Sequence, residues 1–469
     1  MPLPRLRSAA ELLVRIDRHT AVPVRLQLER ELRGAVQSGR LPAGSRLPST
    51  RMLASDLGLS RGVVVEAYEQ LLAEGYFTAR HGSSTRVAGR RASPSSVSTP
   101  EPAMESPRFD LRPGLPDLSL FPRRAWMQSV RRALIEAPAG TFDYPDPRGA
   151  ESARAALAAY VNRARATVAR PDGVMFTNGS AQGIGLACRV LREQGIRSVA
   201  VEDPGHADQC TDIQDVGLKV LRIPVDASGL RVDRLERSEA RAVLVTPAHQ
   251  YPTGAVLTPD RRAALLEWAE RTRSVIIEDD YDAEYRYDRE PVGALQGLAP
   301  DRVVYVGSAS KVLSPALRLG WLVLPSALVA GVTEAKRRAD RGSSIFEQLP
   351  FADFLNRGEL DRHLRRTRPI YRRRRDALVT ALRKSIKNLR IQGIAAGLHF
   401  MIELSADWDE QAVVAAAARR SVRVYGASDY RANPRSGPPA LLVGYGGLAE
   451  SEMPAAVKHL SLAVAEASR

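Results

Sequence analysis

The apolar positions beyond residue 108 fall into short runs that alternate with amphipathic stretches. The runs include VMFTNGS, SVAVED, AVLVTP, SVIIEDDY, VVYVGSAS and WLVL. Short apolar runs separated by helical segments are typical of a mostly parallel sheet covered by helices. Near Leu398 the pattern changes to HFMIEL, a helix and LLVGYG. We therefore predict an α/β domain over residues 108–469 that ends in a smaller α+β subdomain.

The first 88 residues instead have a helical pattern interrupted by tight turns. One helix over residues 24–38 has a single apolar face, formed by Leu28, Leu32, Ala35 and Val36. Ser49 or Thr50 can cap a second helix, and Ser60 a third, with Gly58 in the turn between them. Two short helices joined by a glycine turn predict a helix-turn-helix, whose second helix enters the major groove of DNA.

Residues 76–88 predict a basic β-hairpin directly after the third helix. Tyr76–Ala79 would pair with Thr85–Ala88 through a turn at His81 and Gly82. A hairpin at this place is a wing that faces DNA phosphates or the minor groove. The predicted DNA contacts of the helix-turn-helix and wing are Arg46, Ser49, Arg51, Ser60, Arg61, Arg80, His81 and Gly82.

Serine and proline dominate residues 89–107, GRRASPSSVSTPEPAMESP, and no hydrophobic period is present there. Such a stretch buries too little apolar surface to fold, so we predict a flexible linker. The predicted organisation is a DNA-binding domain over 1–88, the linker over 89–107 and the α/β domain over 108–469. A length of 469 residues agrees with more than one domain.

Composition adds one expected partner and excludes several classes of protein. Sixty-eight Lys and Arg against 53 Asp and Glu give a net charge of +15, which favours a polyanionic partner or simply a solvated surface. The two cysteines, Cys188 and Cys210, exclude a disulfide framework and suit a reducing compartment. We expect a cytoplasmic protein, because no run of about 18 apolar residues and no signal-peptide pattern is present.

Lys311 is one of only six lysines in the chain, and it lies in a motif. The sequence VYVGSASKVLSPALRLGW places it just after a buried strand, where desolvation makes an amine a nucleophile for Schiff-base formation. Ser308, Ser310 and Arg318 surround it and suit a phosphate group. Alone, such a lysine would be interpreted as an ordinary surface residue at a strand end.

Two further motifs point to the same ligand. In SVIIEDDYDAEY, strand alternation places Asp279 and Tyr281 on one face, where a carboxylate can pair with a pyridine nitrogen and a phenol with a phenolic oxygen. FTNGSAQGIGLA turns from strand into helix around Ser180 and Ala181, whose backbone N–H groups can hold a phosphate. With Lys311, these features describe a pyridoxal phosphate site.

The stretch GRLPAGSRLPSTRMLASDLGLSRGVVVEAYEQLLAEGY resembles the GntR-type winged helix, and the chain from about Phe109 onward resembles the fold-type I aminotransferases. Together the two parts resemble a MocR-type transcription regulator, with the motifs DYPDPRG, VEDPGH, TPAHQYPTG and IIEDDYDAEYRY. The resemblance implies that Lys311 forms the internal aldimine with pyridoxal 5′-phosphate. It also implies that Asp279 faces the pyridine nitrogen and Tyr281 the 3′-oxygen.

The same resemblance implies further roles. The phosphate would be held by Ser180, Ala181, Ser308, Ser310 and Arg318. His206 takes the place of an aromatic residue that stacks on the cofactor ring. Tyr144 would reach the phosphate of the partner subunit in a head-to-tail homodimer.

Four features depart from the family patterns, one in the DNA-binding domain and three in the large domain. Gly62 and Val63 replace polar residues that can touch bases, and His206 replaces the stacking aromatic. Tyr251 stands where aminotransferases carry an asparagine before proline. The segment SGPPA before LLVGYG lacks the arginine that binds a substrate carboxylate, and neither Arg431 nor Arg435 nearby is a secure match.

These features favour a DNA-binding transcription regulator that senses pyridoxal phosphate, or an amino acid or amine, and controls vitamin B6 or amino-acid metabolism genes. The alternative is an active aminotransferase with a DNA-binding appendage, and a third is a dimerisation domain without cofactor. The missing arginine predicts at most slow transaminase half-reactions. We expect no metal.

A cluster of eight arginines lies within residues 362–375. It is either a second DNA-binding surface or, as we expect, the solvated face of a basic helix. Pro369 is predicted to kink or restart that helix.

Overall fold

The computed structural model describes residues 14–79, 84–88, 107–287, 292–386 and 389–467. The chain divides into two units, Met1–Met104 and Glu105–Arg469. The predicted linker lies almost entirely outside the described residues, as do Arg80, His81 and Gly82 of the predicted wing. Within the described residues, no helix is both long and apolar enough to cross a membrane.

The first unit is a three-helix domain with a hairpin. Its elements are α1 (Val24–Gln37), α2 (Thr50–Leu57), α3 (Arg61–Ala73), β1 (Phe77–Thr78) and β2 (Arg86–Val87). The strands β1 and β2 pair antiparallel, and each is shorter than the four residues predicted. Gly58 takes a left-handed φ of 61° in the turn between α2 and α3. These elements form the predicted helix-turn-helix and hairpin.

The core of this unit follows the predicted apolar faces. Its buried residues include Leu28, Leu32, Ala35, Leu53, Ala54, Val64, Ala67, Tyr68 and Leu71. Val36, predicted on the same face, is only half-buried. The apolar face of α1 is therefore narrower than predicted. The hairpin closes the core through Phe77 and Val87, both about 2% exposed.

An eight-stranded sheet forms the centre of the second unit. Its strands are β4 (Val174–Asn178), β5 (Ser198–Asp203), β6 (Lys219–Asp226), β7 (Gly229–Leu230), β8 (Ala242–Val245), β9 (Val275–Asp280), β10 (Val303–Ser308) and β11 (Leu319–Val323). They lie in the order β4-β11-β10-β9-β8-β5-β6-β7. Only β11 and β7 run antiparallel to their neighbours. The mostly parallel α/β sheet is confirmed.

Helices cover both faces of this sheet, which is why its central strands, β8 to β11, are almost entirely buried. Alternate residues of β10 point to opposite sides: Val304 and Val306 join one apolar cluster, and Tyr305 joins another. The helices are α4 (Arg123–Glu136), α5 (Glu151–Arg165), α6 (Ser180–Glu193), α7 (Ala207–Asp215), α8 (Val232–Glu236), α9 (Pro259–Thr272), α10 (Ser326–Asp340), α11 (Ile345–Asn356), α12 (Glu359–Ser385), α13 (Glu410–Arg419) and α14 (Met453–Ala467).

The predicted C-terminal α+β subdomain is present. Four antiparallel strands lie in the order β12 (Arg390–Gln392), β13 (His399–Glu403), β16 (Ala440–Gly444) and β15 (Tyr425–Gly426). Helices α13 and α14 pack beside them. A short parallel pair, β3 (Phe109–Asp110) with β14 (Val422–Arg423), ties the start of the unit to this subdomain.

Helix α12 continues through Pro369, so the predicted restart is wrong. Buried residues on both sides of the proline, Leu364, Thr367 and Tyr371, hold the two halves against the core. Several arginines of the 362–375 cluster bind their own chain. Arg368 donates to the carbonyl of Glu284 (2.8 Å), and Arg374 donates to Asp117 Oδ2 (2.7 Å).

Candidate functional site

A cavity of about 160 Å³ opens at the carboxyl ends of β5, β8, β9 and β10. Ligands of open α/β sheets bind at this edge, outside the carboxyl ends of the strands. The cavity brings together the predicted residues Ser180, His206, Asp279, Tyr281 and Lys311. Its other lining residues are Pro113, Gly114, Val201, Glu202, Gly205, Gln209, Cys210, Leu244, Val245, Thr246 and Tyr251.

Lys311 lies three residues beyond the end of β10, with its amine in the cavity. Desolvation lowers the pKa of this amine, although the nearby carboxylates of Asp282 and Asp279 oppose the shift. Gly114 makes room for it, because a Cβ on Gly114 would lie only 3.1 Å from Nζ. The lysine is therefore placed as a partly desolvated nucleophile.

Asp279, near the end of β9, has one oxygen satisfied and one unsatisfied. Gln209 Nε2 donates to Oδ2 over 2.8 Å, whereas Oδ1 is buried and has no partner among the described residues. Burial raises the pKa of the carboxyl to about 6. A buried carboxylate oxygen without a donor is unfavourable. The vacant acceptor position therefore suits a cationic N–H group of a ligand.

Two of the predicted phosphate residues, Ser180 and Arg318, lie at the turn from β4 into α6. Gly179 has a φ of 86° and precedes Ser180, the first residue of α6, which lines the cavity. Arg318 Nη2 donates to the carbonyl of Asn178 over 2.8 Å and lies against Gly179. Backbone N–H groups and a guanidinium thus meet at one helix N-terminus, an arrangement that binds anions.

Three other predicted phosphate residues contribute less directly. Ser308 and Ser310 are hydrogen-bonded to each other through their hydroxyls at 2.8 Å. Ala181 is exposed in the first turn of α6. None of these three side chains, nor Arg318, lines the cavity itself.

His206 stacks on Tyr251 across the mouth of the cavity. The ring centroids are 4.9 Å apart and the planes are inclined by 20°. Desolvation lowers the pKa of the imidazole, which favours the neutral ring. Tyr251 in turn donates its hydroxyl hydrogen to Tyr430 Oη over 3.2 Å. Both departures from the aminotransferase pattern, His206 and Tyr251, therefore form one stacked pair at the site.

The sequence interpretation missed four polar residues of this region. Gln209 anchors Asp279, and Glu202 accepts from Thr246 Oγ1 (2.5 Å), with its pKa raised to about 7 by burial. His249 and Asp282 form a buried pair behind Tyr281. His249, Asp282 and Glu202 each lie inside one of the quoted motifs, and that position was the available signal, whereas no quoted motif includes Gln209.

Arginine is absent from the lining of the described cavity. Arg431 Nη2 donates to the carbonyl of Pro438 over 2.6 Å, and Arg435 is exposed on the same loop. Neither residue lines the described cavity. Tyr144 does not reach it either, since its side chain is 89% exposed beside a second cavity formed by residues 133–155 and 345–356.

In the first unit, the predicted DNA contacts have two kinds of environment. Arg51 and Arg61 are exposed on α2 and α3. Ser49 Oγ accepts from the Met52 N–H (3.3 Å), and Ser60 Oγ caps α3 in the same way. The serines therefore act as helix caps, and their hydroxyl hydrogens stay available to an acceptor. Arg46 is half-buried in a bridge to Arg86.

Comparison with known proteins assigns both parts of the chain. Residues 25–87 match the bacterial regulatory proteins of the gntR family, and residues 116–459 match aminotransferase class I and II. The probable rhizopine catabolism regulatory protein MocR of Rhizobium meliloti is 31% identical over 457 residues, 92% of each chain. The pyridoxine biosynthesis transcriptional regulator PdxR of Corynebacterium glutamicum is 32% identical over 425 residues, 90% of this chain and 92% of that protein.

The solved structures agree with this assignment. An archaeal alanine:glyoxylate aminotransferase superposes with a TM-score of 0.71 at 25% identity, over 76% of this chain and 91% of its own. Fold and site thus define a DNA-binding protein with an aminotransferase-like ligand domain. The chain belongs to the MocR-type transcription regulators.

Proposed function

We propose that the large domain of this regulator binds pyridoxal 5′-phosphate and that the bound ligand sets the affinity of the winged helix for operator DNA. The single observation that carries the proposal is the vacant Asp279 Oδ1, buried in the same cavity as the Lys311 amine. A pyridinium N–H and an aldehyde are the two groups that this pair of side chains would bind. Bound there, the cofactor would supply an electron-withdrawing ring.

Each of these residues would hold a different part of that ligand. Lys311 would bond the aldehyde carbon, because its desolvated amine is a better nucleophile than an exposed one. Asp279 would accept the ring N–H, and Tyr281 would donate to the phenolic oxygen. The phosphate would lie at the α6 N-terminus, held by Ser180, Ala181, Ser308, Ser310 and Arg318, with His206 against the ring.

We further propose a head-to-tail homodimer in which Tyr144 reaches the phosphate of the second copy. Exposed apolar side chains support an interface around Tyr144. Phe142 and Phe346 stack 6.0 Å apart on the surface, and Ile135, between two residues that line the same cavity as Tyr144, is 71% exposed. Apolar patches of this kind mark interaction surfaces on soluble proteins.

The ligand would act on DNA binding through the geometry of the dimer. A ligand shifts the equilibrium between two states only if it binds them with different affinities. We propose that this difference arises at the cavity mouth, where Tyr251 contacts Tyr430 of the C-terminal subdomain. A ligand that changes this contact would change the separation of the two winged helices and therefore the fit to two half-sites.

The regulated genes would belong to vitamin B6 or amino-acid metabolism. The relative named for pyridoxine biosynthesis supports the former. An active aminotransferase is the less favoured function, because no arginine lines the described cavity.

The test is operator binding measured by fluorescence anisotropy on DNA from upstream of the regulator's own gene. We expect pyridoxal phosphate to change Kd by at least about fivefold, the low end of allosteric coupling. Lys311→Ala should bind DNA but lose this response, and pyridoxamine phosphate, which has no aldehyde, should not reproduce it. A Kd that is unchanged while pyridoxal phosphate is demonstrably bound would contradict the proposal.

A further inference from the structure

A buried histidine–aspartate pair lies directly behind Tyr281. His249, four residues beyond the end of β8, and Asp282, two beyond the end of β9, are 3% and 1% exposed. His249 Nδ1 lies 3.0 and 3.1 Å from the two carboxylate oxygens of Asp282. The same nitrogen lies 3.1 Å from Tyr281 Oη. The cofactor contacts proposed above involve neither His249 nor Asp282.

The positions of the hydrogens follow from these distances. A carboxylate has only acceptor oxygens, so a ring nitrogen within 3.1 Å of both must carry the hydrogen. Nδ1–H of His249 then points between Asp282 and Tyr281, and Tyr281 Oη is an acceptor in that contact. The Tyr281 hydroxyl hydrogen is not used there. It is left for the cavity that Tyr281 lines.

We propose that His249 and Asp282 are positioning residues that direct the Tyr281 O–H into the cavity as a hydrogen-bond donor. The acceptor is the phenolic 3′-oxygen of the cofactor, so this inference rests on the proposed function. Without the Nδ1–H group, the phenol oxygen would no longer be held as an acceptor, and its hydrogen would be free to turn away from the cavity toward the nearby Asp282 carboxylate. The pair thus converts a hydroxyl that could donate in two directions into one that donates in a single direction.

Close packing fixes the plane of the imidazole. A Cβ on Gly397 would collide with Asp282 Oδ2 and His249 Cε1, and a Cβ on Gly254 would lie 3.2 Å from Nε2. Gly397 is itself held, because its N–H donates to the Tyr285 carbonyl over 2.7 Å. The plane of the ring is therefore fixed between two glycines, and the hydrogen bond to Asp282 sets which edge of the ring faces the carboxylate.

His399 completes the surroundings of the pair without adding a charge. Its ring centroid lies 5.2 Å from that of His249, and neither of its nitrogens has a partner among the described residues. Burial lowers the pKa of His399, which keeps the ring neutral. Ligating atoms of His249, Asp282 and His399 lie within 4.8 Å of one another, so a bound divalent metal is the competing explanation. A metal bound through Nδ1 would have to displace the hydrogen that this nitrogen shares with Asp282.

The first test follows the visible absorption band of the bound cofactor as the pH is changed. The midpoint of that titration reports on the hydrogen bond from Tyr281 to the cofactor oxygen. A donor at the cofactor oxygen weakens that oxygen's hold on the proton it shares with the Lys311 nitrogen. Tyr281→Phe should therefore raise the midpoint by about 1 pH unit. His249→Leu should raise it similarly, with no further rise in the double variant. The other titratable groups facing Tyr281 stay in place in these variants: Asp282, Tyr251, Asp279 and Glu202.

His249→Asn is the matched control, because an asparagine amide N–H can take the place of Nδ1–H. The titration midpoint of His249→Asn should remain within about 0.3 pH unit of the wild-type midpoint. A difference of one pH unit corresponds to a tenfold difference in proton affinity. A His249→Leu midpoint equal to that of wild type would overturn the inference while leaving the proposed function intact. Absence of any visible band in wild type would instead contradict the proposed function.

A second measurement does not depend on the cofactor or on folding of the leucine variant. In cofactor-free protein labelled with ¹⁵N-histidine, the His249 signal, assigned from its loss in His249→Asn, should show a protonated Nδ1. An unprotonated Nδ1 would overturn the inference. So would about one equivalent of metal in the purified protein that is lost in His399→Ala, since the pair would then be part of a metal site.

Discussion

Gln209 holds only one of the two carboxylate oxygens of Asp279. The amide nitrogen donates to Oδ2 over 2.8 Å, and Oδ1, on the same buried side chain, is left without a partner in the described structure. Gln209 thus fixes the plane of the carboxylate while leaving one acceptor for a ligand. Because burial has raised the pKa of this carboxyl to about 6, its charge is lost just below neutral pH.

We predict that affinity for pyridoxal phosphate falls as the pH drops below about 6. Above that pKa Asp279 is ionised and accepts from a ring N–H, and below it the carboxyl is protonated and the attraction is lost. Asp279→Asn should weaken binding about 10- to 100-fold at pH 8, since hydrogen bonds to charged groups contribute about 1.5–3 kcal/mol. Equilibrium titrations between pH 5 and 8 measure both effects.

The same titrations include a matched control. Asp215→Asn changes an exposed carboxyl on the same helix as Gln209 and should leave both the affinity and its pH profile as in wild type. A fall in affinity near pH 6 that persists in Asp279→Asn would show that another group titrates. Glu202 would be the first candidate, because burial raises its pKa to about 7.

Lys311 is predicted to be the one lysine that bonds the cofactor. Wild-type protein incubated with pyridoxal phosphate should develop a band near ~420 nm, the usual order for such adducts. Borohydride reduction followed by peptide mass spectrometry should find the adduct on the Lys311 peptide. Lys311→Ala should lose the band, and Lys219→Ala, which changes an exposed lysine, should keep it. A reduced adduct on any other lysine in the alanine variant would refute the assignment.

Arg51 and Arg61 are predicted to contact DNA through phosphates. Both are exposed, one on each helix of the helix-turn-helix. The double alanine variant should weaken operator binding by at least ~1 kcal/mol and reduce the salt dependence by about two released ions. Anisotropy titrations at four salt concentrations provide both numbers.

The control for this prediction lies in the basic helix. Arg365 and Arg372 belong to the 362–375 cluster, and their double alanine variant should bind DNA as wild type does. Weaker binding in that variant, with unchanged binding in the Arg51 and Arg61 variant, would move the DNA surface to α12.

The sequence predicted the elements better than it predicted the polar contacts of the site. The faces of α1 and α3 and the strand around Asp279 were visible because apolar spacing is a local property. Gln209 meets Asp279 across 70 residues, and no local pattern carries such a pairing. The restart expected at Pro369 failed for a similar reason, since packing on both sides of the proline outweighs its local helix-breaking tendency.

The last prediction separates a regulator from a working transaminase. A transaminase must hold the substrate α-carboxylate in a fixed pose, usually through a bidentate arginine. In this protein the Arg431 guanidinium is bound to the Pro438 carbonyl, and no arginine lines the described cavity. Losing such a charged contact costs about 2–3 kcal/mol, roughly a hundredfold in rate.

We therefore expect slow half-reactions at most, and no sustained turnover with pyruvate or 2-oxoglutarate as acceptor. A multiple-turnover assay over a panel of amino donors measures this directly, with Lys311→Ala as the blank. A rate of about 1 s⁻¹ or more would be ordinary enzymatic catalysis and would overturn the expectation. Loss of that rate in Arg431→Ala, but not in Arg435→Ala, would then show that the loop containing Pro438 rearranges to bring Arg431 onto the substrate carboxylate.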